Sequence, residues 1–415
     1  MIKGLQYRYF NKNFFAGVFG NILEWYDFAI FGFLTPIISQ LFFPKEDHLV
    51  AILMIYGVFA TGYLMRPLGG ILFGYIGDKQ GRKLALQTSM IMMAVPTVLI
   101  GFIPTYEELG IYATILLIIL RMLQGLSVGG ELMGSISYLV EIAPPNKKHF
   151  YGSFTLFSAV GGLLLGSTVV TILSSILGDE VMSLWGWRVP FIGGLFIFFF
   201  GLWLRKGMDE SPAFLVKKEQ SQKLYKSPFQ EVIKTMFKKI LRLFALISVA
   251  TVSSYTLLVW MPTYMGDILT PPIENALLIT TLSMVIVILV LPLSGYISDI
   301  YGGVKVFKIS CIALALLSYP LFLMINQHDF WMALIAQFIF AIISGFIQGP
   351  LPAIMATIFP TNLRYTGMGL GYNTATALLG GTTPMIATLI IQMTGSLVMP
   401  AFYLILFAFI SFIAL

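Results

Sequence analysis

Three side chains in the first long apolar segment have types and a spacing that could do chemistry. Asn21, Glu24 and Asp27 follow one another at intervals of three residues, which places them along one face of a helix. A carboxyl group at the middle of a bilayer is costly unless it is protonated, paired or facing water. The spacing therefore predicts that Glu24 or Asp27 takes up and releases a proton, and it does not decide between them. A structural ion pair, or a carboxyl group that extends to water, is the alternative.

A second charged group lies in the fourth apolar segment. Arg121 and Glu131 are ten residues apart, which is about 15 Å along a helix axis. By depth, Arg121 lies near Asp27 and Glu131 lies near Glu24. We expect Arg121 and Asp27 to form an ion pair whose partners exchange when a proton binds, and Glu131 to take part in the same coupling. A permanent buried ion pair is the alternative.

The elements that position these side chains are predicted to be helices that cross a membrane. Hydrophobic residues make up 58% of the chain, charged residues only 11%, and the mean hydropathy is +0.88, whereas soluble chains are about a quarter charged. The apolar residues form blocks long enough to cross a bilayer, and they do not alternate with polar residues as in a membrane barrel. Twelve such blocks are predicted: 14–40, 49–76, 84–104, 111–140, 151–177, 188–205, 241–264, 276–297, 305–325, 330–357, 365–392 and 399–415.

The net charge of +6 raises the question of a nucleic-acid partner. If the N-terminus is cytoplasmic, most Lys and Arg residues, Arg205 among them, fall at the inner ends of the apolar blocks. This is the positive-inside pattern of membrane proteins. The charge therefore predicts no nucleic-acid partner, and it indicates an integral protein of the bacterial inner (plasma) membrane with a cytoplasmic N-terminus.

Cysteine and histidine are too sparse to build a reactive centre. The chain has one cysteine, Cys311, and three scattered histidines. No nucleophile motif or cofactor-binding loop occurs, and the acids lie singly in apolar segments. We expect no metal, no cofactor and no enzymatic activity.

Two segments of the chain have similar sequences. "FGYIGDKQGRK" (73–83) and "SGYISDIYGGVK" (294–305) share five identities at a constant offset of 221 residues. A second pair, "PNKKHFYG" (145–152) and "PTNLRYTG" (360–367), follows two later apolar blocks. The duplication predicts an all-α fold with two pseudo-symmetric six-helix halves, at 1–205 and 241–415, joined by a polar cytoplasmic linker at 206–240 that holds an amphipathic helix near 228–240. Chance recurrence of short basic loops is the alternative.

These motifs resemble a known family. "GYIGDKQGRK" and "RMLQGLSVGGE" (121–131) resemble signature motifs of the major facilitator superfamily. "GNILEWYDFAIFGF" (20–33), "RPLGGILFGYIGD" (66–78) and "WGWRVPF" (185–191) are similar to its metabolite:proton symporter family, and "LLVWMPTYM" (257–265) most resembles the proline/betaine branch. The resemblance implies proton-coupled import of a small zwitterion by alternating access. Import of an organic acid such as 2-oxoglutarate, citrate or shikimate, or efflux by antiport, is the alternative.

The resemblance also implies a gate. In family members the acid and the arginine of the repeated loop hold helix ends together, which assigns gating roles to Asp78, Arg82 and Asp299. The second copy has Gly303 and Val304 where Arg82 and Lys83 stand, so its gate is expected to be weaker. The alternative is that these charges only anchor the topology.

Substrate ligands are expected from both halves of the sequence. The second half has aromatic and amide groups in its apolar blocks but no acid at mid-membrane depth. Such groups, combined with charge from the first half, suit a zwitterion whose cationic end rests on aromatic faces. The candidates are Asn21, Arg121, Tyr255, Trp260, Tyr372 and Asn373. For each of these residues, a role in packing alone is the alternative. We also expect the protein to be a monomer in the bilayer.

Overall fold

The structure is a computed structural model that describes residues 12–43, 48–219 and 227–415. Part of the predicted linker, residues 220–226, lies outside these ranges. The described residues form eighteen α-helices. They are α1 Lys12–Phe33, α2 Thr35–Phe42, α3 His48–Lys79, α4 Arg82–Ile100, α5 Tyr106–Leu109, α6 Ile111–Ile142, α7 Lys148–Val181, α8 Arg188–Lys206, α9 Pro212–Glu219, α10 Pro228–Tyr255, α11 Met261–Thr263, α12 Ala276–Tyr301, α13 Gly303–Ile325, α14 Phe330–Gln348, α15 Leu351–Ile358, α16 Arg364–Ala375, α17 Thr383–Thr394 and α18 Pro400–Ala414.

Most of the predicted apolar blocks are long helices. In the described part of the chain, nine helical spans are long and apolar enough to cross a membrane. Several blocks are interrupted where the sequence analysis predicted one continuous helix. New helices begin at Thr35, Leu351 and Thr383, each with a proline in its first turn. Proline lacks the N–H that a continuing helix would need, so it favours a fresh start.

Both copies of the repeated loop make the same sharp turn between two helices. Gly81 separates α3 from α4 with φ of 121°, and Gly302 separates α12 from α13 with φ of 94°. Residues with a side chain rarely adopt this backbone conformation, whereas glycine does so at little cost. The shared glycine at the offset of 221 residues therefore has a direct structural reason.

The chain divides into two compact units. Unit 1 comprises the described residues within Met1–Lys148, Gly161–Phe229 and Thr361–Thr366, and unit 2 those within His149–Val160, Gln230–Pro360 and Gly367–Leu415. Each unit thus includes one short segment from the other half of the sequence. These two segments coincide with the second pair of similar motifs.

In unit 1, α3 and α6 pack with their backbones in close approach. A Cβ atom on Gly125 would collide with the carbonyl of Gly62, and one on Gly129 would collide with the carbonyl of Arg66. Glycine is common where membrane helices approach this closely. This packing holds α6, which carries Arg121, at a fixed distance from its neighbours.

Unit 2 has an aromatic cluster near its helix breaks. The indole of Trp260 stacks on Tyr264 with ring centroids 4.7 Å apart, and Phe322 packs against both rings. The indole N–H donates to Thr388 Oγ1 at 3.0 Å. The cluster joins the end of α10 to α13 and α17.

Candidate functional site

Asp27 and Arg121 form the centre of a buried polar cluster in unit 1. Arg121 Nη1 lies 2.8 Å from Asp27 Oδ2, and the other carboxylate oxygen accepts a hydrogen bond of 2.7 Å from Gln124 Nε2. Gln124 also accepts from Arg121 at 2.7 Å and donates to Thr97 Oγ1 at 2.9 Å. The guanidinium lies 3.8 Å from the ring centroid of Phe31. The ion pair expected from the sequence is present, and Gln124, one helical turn after Arg121, completes it.

Glu24 lies on the same helix, α1, but in a different environment. Its side chain is 1% exposed, and neither carboxyl oxygen has a hydrogen-bond partner among the residues that the structure describes. Arg66, Glu131 and Asp27 act on it electrostatically. An ionised carboxylate without donors is unfavourable in such a place, whereas the neutral acid is tolerated. The two acids of α1 are therefore not equivalent.

Arg66 is the cation that acts on Glu24 from α3. It is fully buried, and its guanidinium lies 5.3 Å from the ring of Tyr63 and 6.0 Å from that of Phe28. Phe28 also lies 5.6 Å from the guanidinium of Arg121. One aromatic ring therefore contacts both arginines. Cation–π contacts of this kind stabilise a cation away from water.

Asn21 and Glu131 are also buried in unit 1, and each has partners of its own. The amide of Asn21 donates to Ser135 Oγ at 2.9 Å. Glu131 accepts a hydrogen bond of 2.5 Å from Ser89 and forms an ion pair with Arg205. The sequence analysis places Glu131 near Glu24 by depth. Glu131 does act on Glu24 electrostatically, but its direct partners are Ser89 and Arg205.

Arg205, which the sequence analysis places among the charges at the inner ends of the helices, lies in the last turn of α8 but is not an exposed anchor. It is fully buried, and its guanidinium donates to the carbonyls of Ala16 and Leu86 as well as to Glu131. Gly20 leaves room for this pair, since a Cβ atom there would collide with both charged groups. An arginine that follows an apolar helix by position looks like an anchor, so only the packing reveals the pair.

The first copy of the repeated loop caps a helix within unit 1. Both carboxylate oxygens of Asp78 accept backbone N–H groups, from Tyr365 at 3.1 Å and Thr366 at 2.9 Å. These are the second and third residues of α16, where a helix has unsatisfied N–H groups and a positive dipole end. Arg82 lies 3.2 Å from Asp78 and donates to the carbonyl of Thr361 at 2.5 Å.

Two further acids pair with this loop, and the sequence analysis did not single them out. Glu141 lies 3.2 Å from Arg82 and 2.7 Å from Arg364. Glu210 accepts the backbone N–H groups of Arg82 and Lys83, at 2.9 Å and 3.3 Å. The first copy is therefore a network of charges in which each acid has a partner.

The second copy caps a helix within unit 2 in the same way. Asp299 accepts the backbone N–H groups of His149 and Phe150, both at 2.9 Å, and these are the second and third residues of α7. At the position equivalent to Arg82, a Cβ atom on Gly303 would collide with the imidazole of His149. The imidazole Nδ1 lies 3.1 Å from the carbonyl oxygen of Pro350. A histidine from the capped helix thus fills the space beside Gly303.

The remaining substrate candidates lie in unit 2, where the structure does not test their role. Tyr255 and Tyr372 are half-buried and Asn373 is buried, while Trp260 belongs to the aromatic cluster described above. Gln337 of α14 is fully buried, and its amide has no hydrogen-bond partner among the described residues. Such an amide is costly to bury, which marks Gln337 as an additional candidate.

Arg188 lies at the start of α8. It donates to the carbonyls of Gly101 and Ile103, at 2.9 Å and 2.8 Å, and its guanidinium lies 4.4 Å from the ring of Trp187. These contacts attach α8 to the end of α4.

An all-α membrane fold, a duplicated helix-capping loop and buried acid–arginine pairs are features of membrane transporters. The chain belongs to the Major Facilitator Superfamily, whose family model matches residues 17–384. It is an integral membrane protein with the twelve-helix architecture of that family.

Three curated relatives are similar along almost the whole chain. A putative proline/betaine transporter of Staphylococcus haemolyticus is 35% identical over 97% of this chain and 86% of that protein. The glycine betaine/proline/ectoine/pipecolic acid transporter OusA of Dickeya dadantii is 34% identical, with 95% and 80% covered. The proline/betaine transporter of Escherichia coli is 34% identical, with 96% and 81% covered.

Solved structures agree on the fold. The proton:xylose symporter XylE superposes with a TM-score of 0.77 at 19% identity, covering 97% of this chain and 94% of that one. The transporter FucP in an outward conformation superposes with a TM-score of 0.69 at 15% identity, covering 96% and 97%. At these identities the likeness concerns the fold alone.

Proposed function

We propose that this chain is a proton-coupled symporter that imports a small zwitterion of the proline or betaine kind by alternating access. The three curated relatives are named as transporters of proline and betaines, and this chain covers 80–86% of their length. The observation that supports proton coupling is the polar cluster in unit 1. There Asp27 is paired with Arg121, whereas Glu24, three residues earlier on the same helix, has no hydrogen-bond donor among the described residues.

The two acids are assigned different tasks. Both carboxyl oxygens of Asp27 have partners, Arg121 and Gln124, so the pair of Asp27 with Arg121 is assigned as the switchable element. Glu24 is suited to hold the proton, because its neutral form needs no donor in a buried site. When Glu24 releases the proton, Arg66 supplies the compensating positive charge. Glu131 acts on Glu24 through space and is held in place by Arg205.

Substrate recognition follows from charge. A zwitterion presents a carboxylate, for which Arg121 is the proposed ligand, since guanidinium groups suit planar carboxylates. Asn21 of α1 remains a further candidate. Tyr255, Trp260, Tyr372 and Asn373 remain the candidates for the cationic end.

The repeated loops are assigned to gating. Asp78, supported by Arg82, caps the start of α16, and Asp299 caps the start of α7. These contacts are proposed to form and break as the transporter changes state. We further propose that the protein is a monomer of the bacterial inner membrane with a cytoplasmic N-terminus, and that 1–205 and 241–415 act as its halves with 206–240 as a cytoplasmic linker.

Uptake of radiolabelled proline into proteoliposomes with an alkaline interior tests this proposal. We expect accumulation that a protonophore abolishes and that unlabelled betaine inhibits, with protein-free liposomes as the control. Accumulation of labelled 2-oxoglutarate without any proline uptake would transfer the assignment to the organic-acid importers. Proline uptake that is indifferent to the protonophore would contradict proton coupling.

A further inference from the structure

A groove in unit 2 has no role in the proposed transport cycle. It has a volume of about 470 Å³ and is formed by the end of α12, the first half of α13 and the last two turns of α14. Its walls are almost entirely apolar, with Ile309, Ala313, Ile342 and Phe346 among them. Lys305 contributes the one cationic group of the lining.

Lys305 has no anionic partner within the described chain. Its side chain is exposed, and no ion pair or hydrogen bond joins it to any residue that the structure describes. The nearest acid in sequence, Asp299, uses both carboxylate oxygens to accept N–H groups of α7. Lys308, one turn further, instead lies 5.1 Å over the ring of Phe412. Lys305 is therefore the lysine of this turn that is available to an external anion.

The dimensions of the groove fit a lipid. Lys305 and Ala313 are eight residues apart on α13, which is about 12 Å along the axis, and half of the hydrocarbon thickness of a bilayer is about 15 Å. Ile309 and Ile342 on the walls are 56% and 42% exposed, in a chain that lies within a bilayer. An acyl chain can follow the apolar walls while the phosphate of its headgroup reaches Lys305.

We propose that this groove binds an anionic phospholipid, with its phosphate at Lys305 and one acyl chain along Ile309, Ala313 and Phe346. In the topology proposed above, the lipid comes from the cytoplasmic leaflet. The first copy of the loop takes its counter-charges from the protein, Glu141 and Glu210. Lys305 of the second copy has no acid as a partner among the described residues, and the lipid phosphate supplies the anion there. Bound lipid then supports the turn that positions Asp299.

Native mass spectrometry of the purified full-length chain in detergent tests this inference without reference to any substrate. Phosphatidylglycerol and phosphatidylcholine are titrated in parallel, and bound lipid is counted. Lys305→Gln should weaken phosphatidylglycerol binding by about fivefold, the worth of one basic residue at an anionic surface. The matched control, Lys308→Gln, removes the same charge outside the groove and should leave binding unchanged.

A second variant examines the apolar part of the groove. Ala313→Trp fills it and should displace the lipid whatever its headgroup, while thermal unfolding in detergent verifies that each variant is folded. Equal binding of the two lipids by the wild type, or equal losses in Lys305→Gln and Lys308→Gln, would overturn the assignment of an anionic ligand. Undiminished binding in Ala313→Trp would overturn the groove as its location.

Discussion

Unit 1 and unit 2 derive from similar stretches of sequence but use charge very differently. Unit 1 contains these ion pairs: Arg82 with Asp78 and Glu141, Arg364 with Glu141, Arg121 with Asp27, and Arg205 with Glu131. Unit 2 buries uncharged polar groups, such as Gln337, Ser344 and Asn373. The buried charged side chains of the described residues are therefore concentrated in unit 1.

The two copies of the repeated loop show the same difference between the units at the level of single residues. Both keep a glycine with positive φ and an aspartate that accepts two N–H groups at the start of a helix. Only the first copy adds an arginine, and the second has Gly303 with the ring of His149 beside it. The helix cap is thus the shared device, while the charge network is an addition of unit 1.

Breaking the buried pair of Arg205 and Glu131 should have the largest effect. Arg205→Gln leaves a carboxylate buried without its cation, which costs about 3–5 kcal/mol, and we expect a matching loss of thermal stability in detergent. Arg242→Gln in unit 2 is the control, because Arg242 is exposed and binds the carbonyl of Ala414. Similar melting curves for both variants would show that the Glu131 pair is not structural.

Asp27→Asn and Arg121→Gln should each lower proton-driven uptake by about a hundredfold, since each leaves a buried partner uncompensated, worth about 3 kcal/mol. Initial uptake rates in proteoliposomes, normalised to reconstituted protein, measure this effect. In unit 2, Gln337→Leu removes no charge and should change the substrate KM more than the proton dependence. Uptake within twofold of wild type in both unit 1 variants would eliminate the switchable pair.

Glu24→Gln separates proton transfer from substrate movement. The amide imitates the protonated acid, so we expect no accumulation against a gradient but exchange of internal for external substrate within about threefold of wild type. This exchange should also lose its pH dependence across the neutral range. Glu24→Asp should recover part of the accumulation. Protonophore-sensitive accumulation by Glu24→Gln would assign the proton to another group.

Asp78→Asn and Asp299→Asn compare the two loops directly. Each change weakens two charge-assisted hydrogen bonds to a helix start, but only Asp78→Asn also removes a partner of Arg82. We expect uptake to fall by about tenfold for Asp78→Asn and about threefold for Asp299→Asn. Equal losses, measured as initial rates, would mean that the arginine adds nothing to the first cap.

Gly303→Ala should have the smallest effect, about 1 kcal/mol of destabilisation, because the new methyl group meets the imidazole of His149. Thermal unfolding measures it, and His149→Ala in the same chain should relieve it. Gly381→Ala is the control in unit 2, where the added Cβ has only a distant neighbour. No rescue by His149→Ala would show that the ring is not the obstacle.

Much of the architecture was predictable because it follows from local patterns. Apolar blocks long enough to cross a bilayer predict helices, since a helix satisfies its own backbone without water and these blocks do not alternate as barrel strands do. The repeated glycines and aspartates likewise identified the two turns. Helix interruptions near Leu351 and Thr383 were missed, although proline marks both positions, because hydropathy averages over them.

The sequence by itself determined the membrane-spanning helices, the duplicated loop and the acids that stand out against an apolar background, because composition, periodicity and spacing are properties of the chain. Depth along the helices predicted the pair of Asp27 with Arg121, and the tertiary structure decided the other partners of the buried charges. Glu131 joins Arg205 across 74 residues, and Asp27 joins Arg121 and Gln124 across more than 90. Such partners are set by the packing of distant helices through their glycines, and a buried charge acquires its meaning from the groups around it.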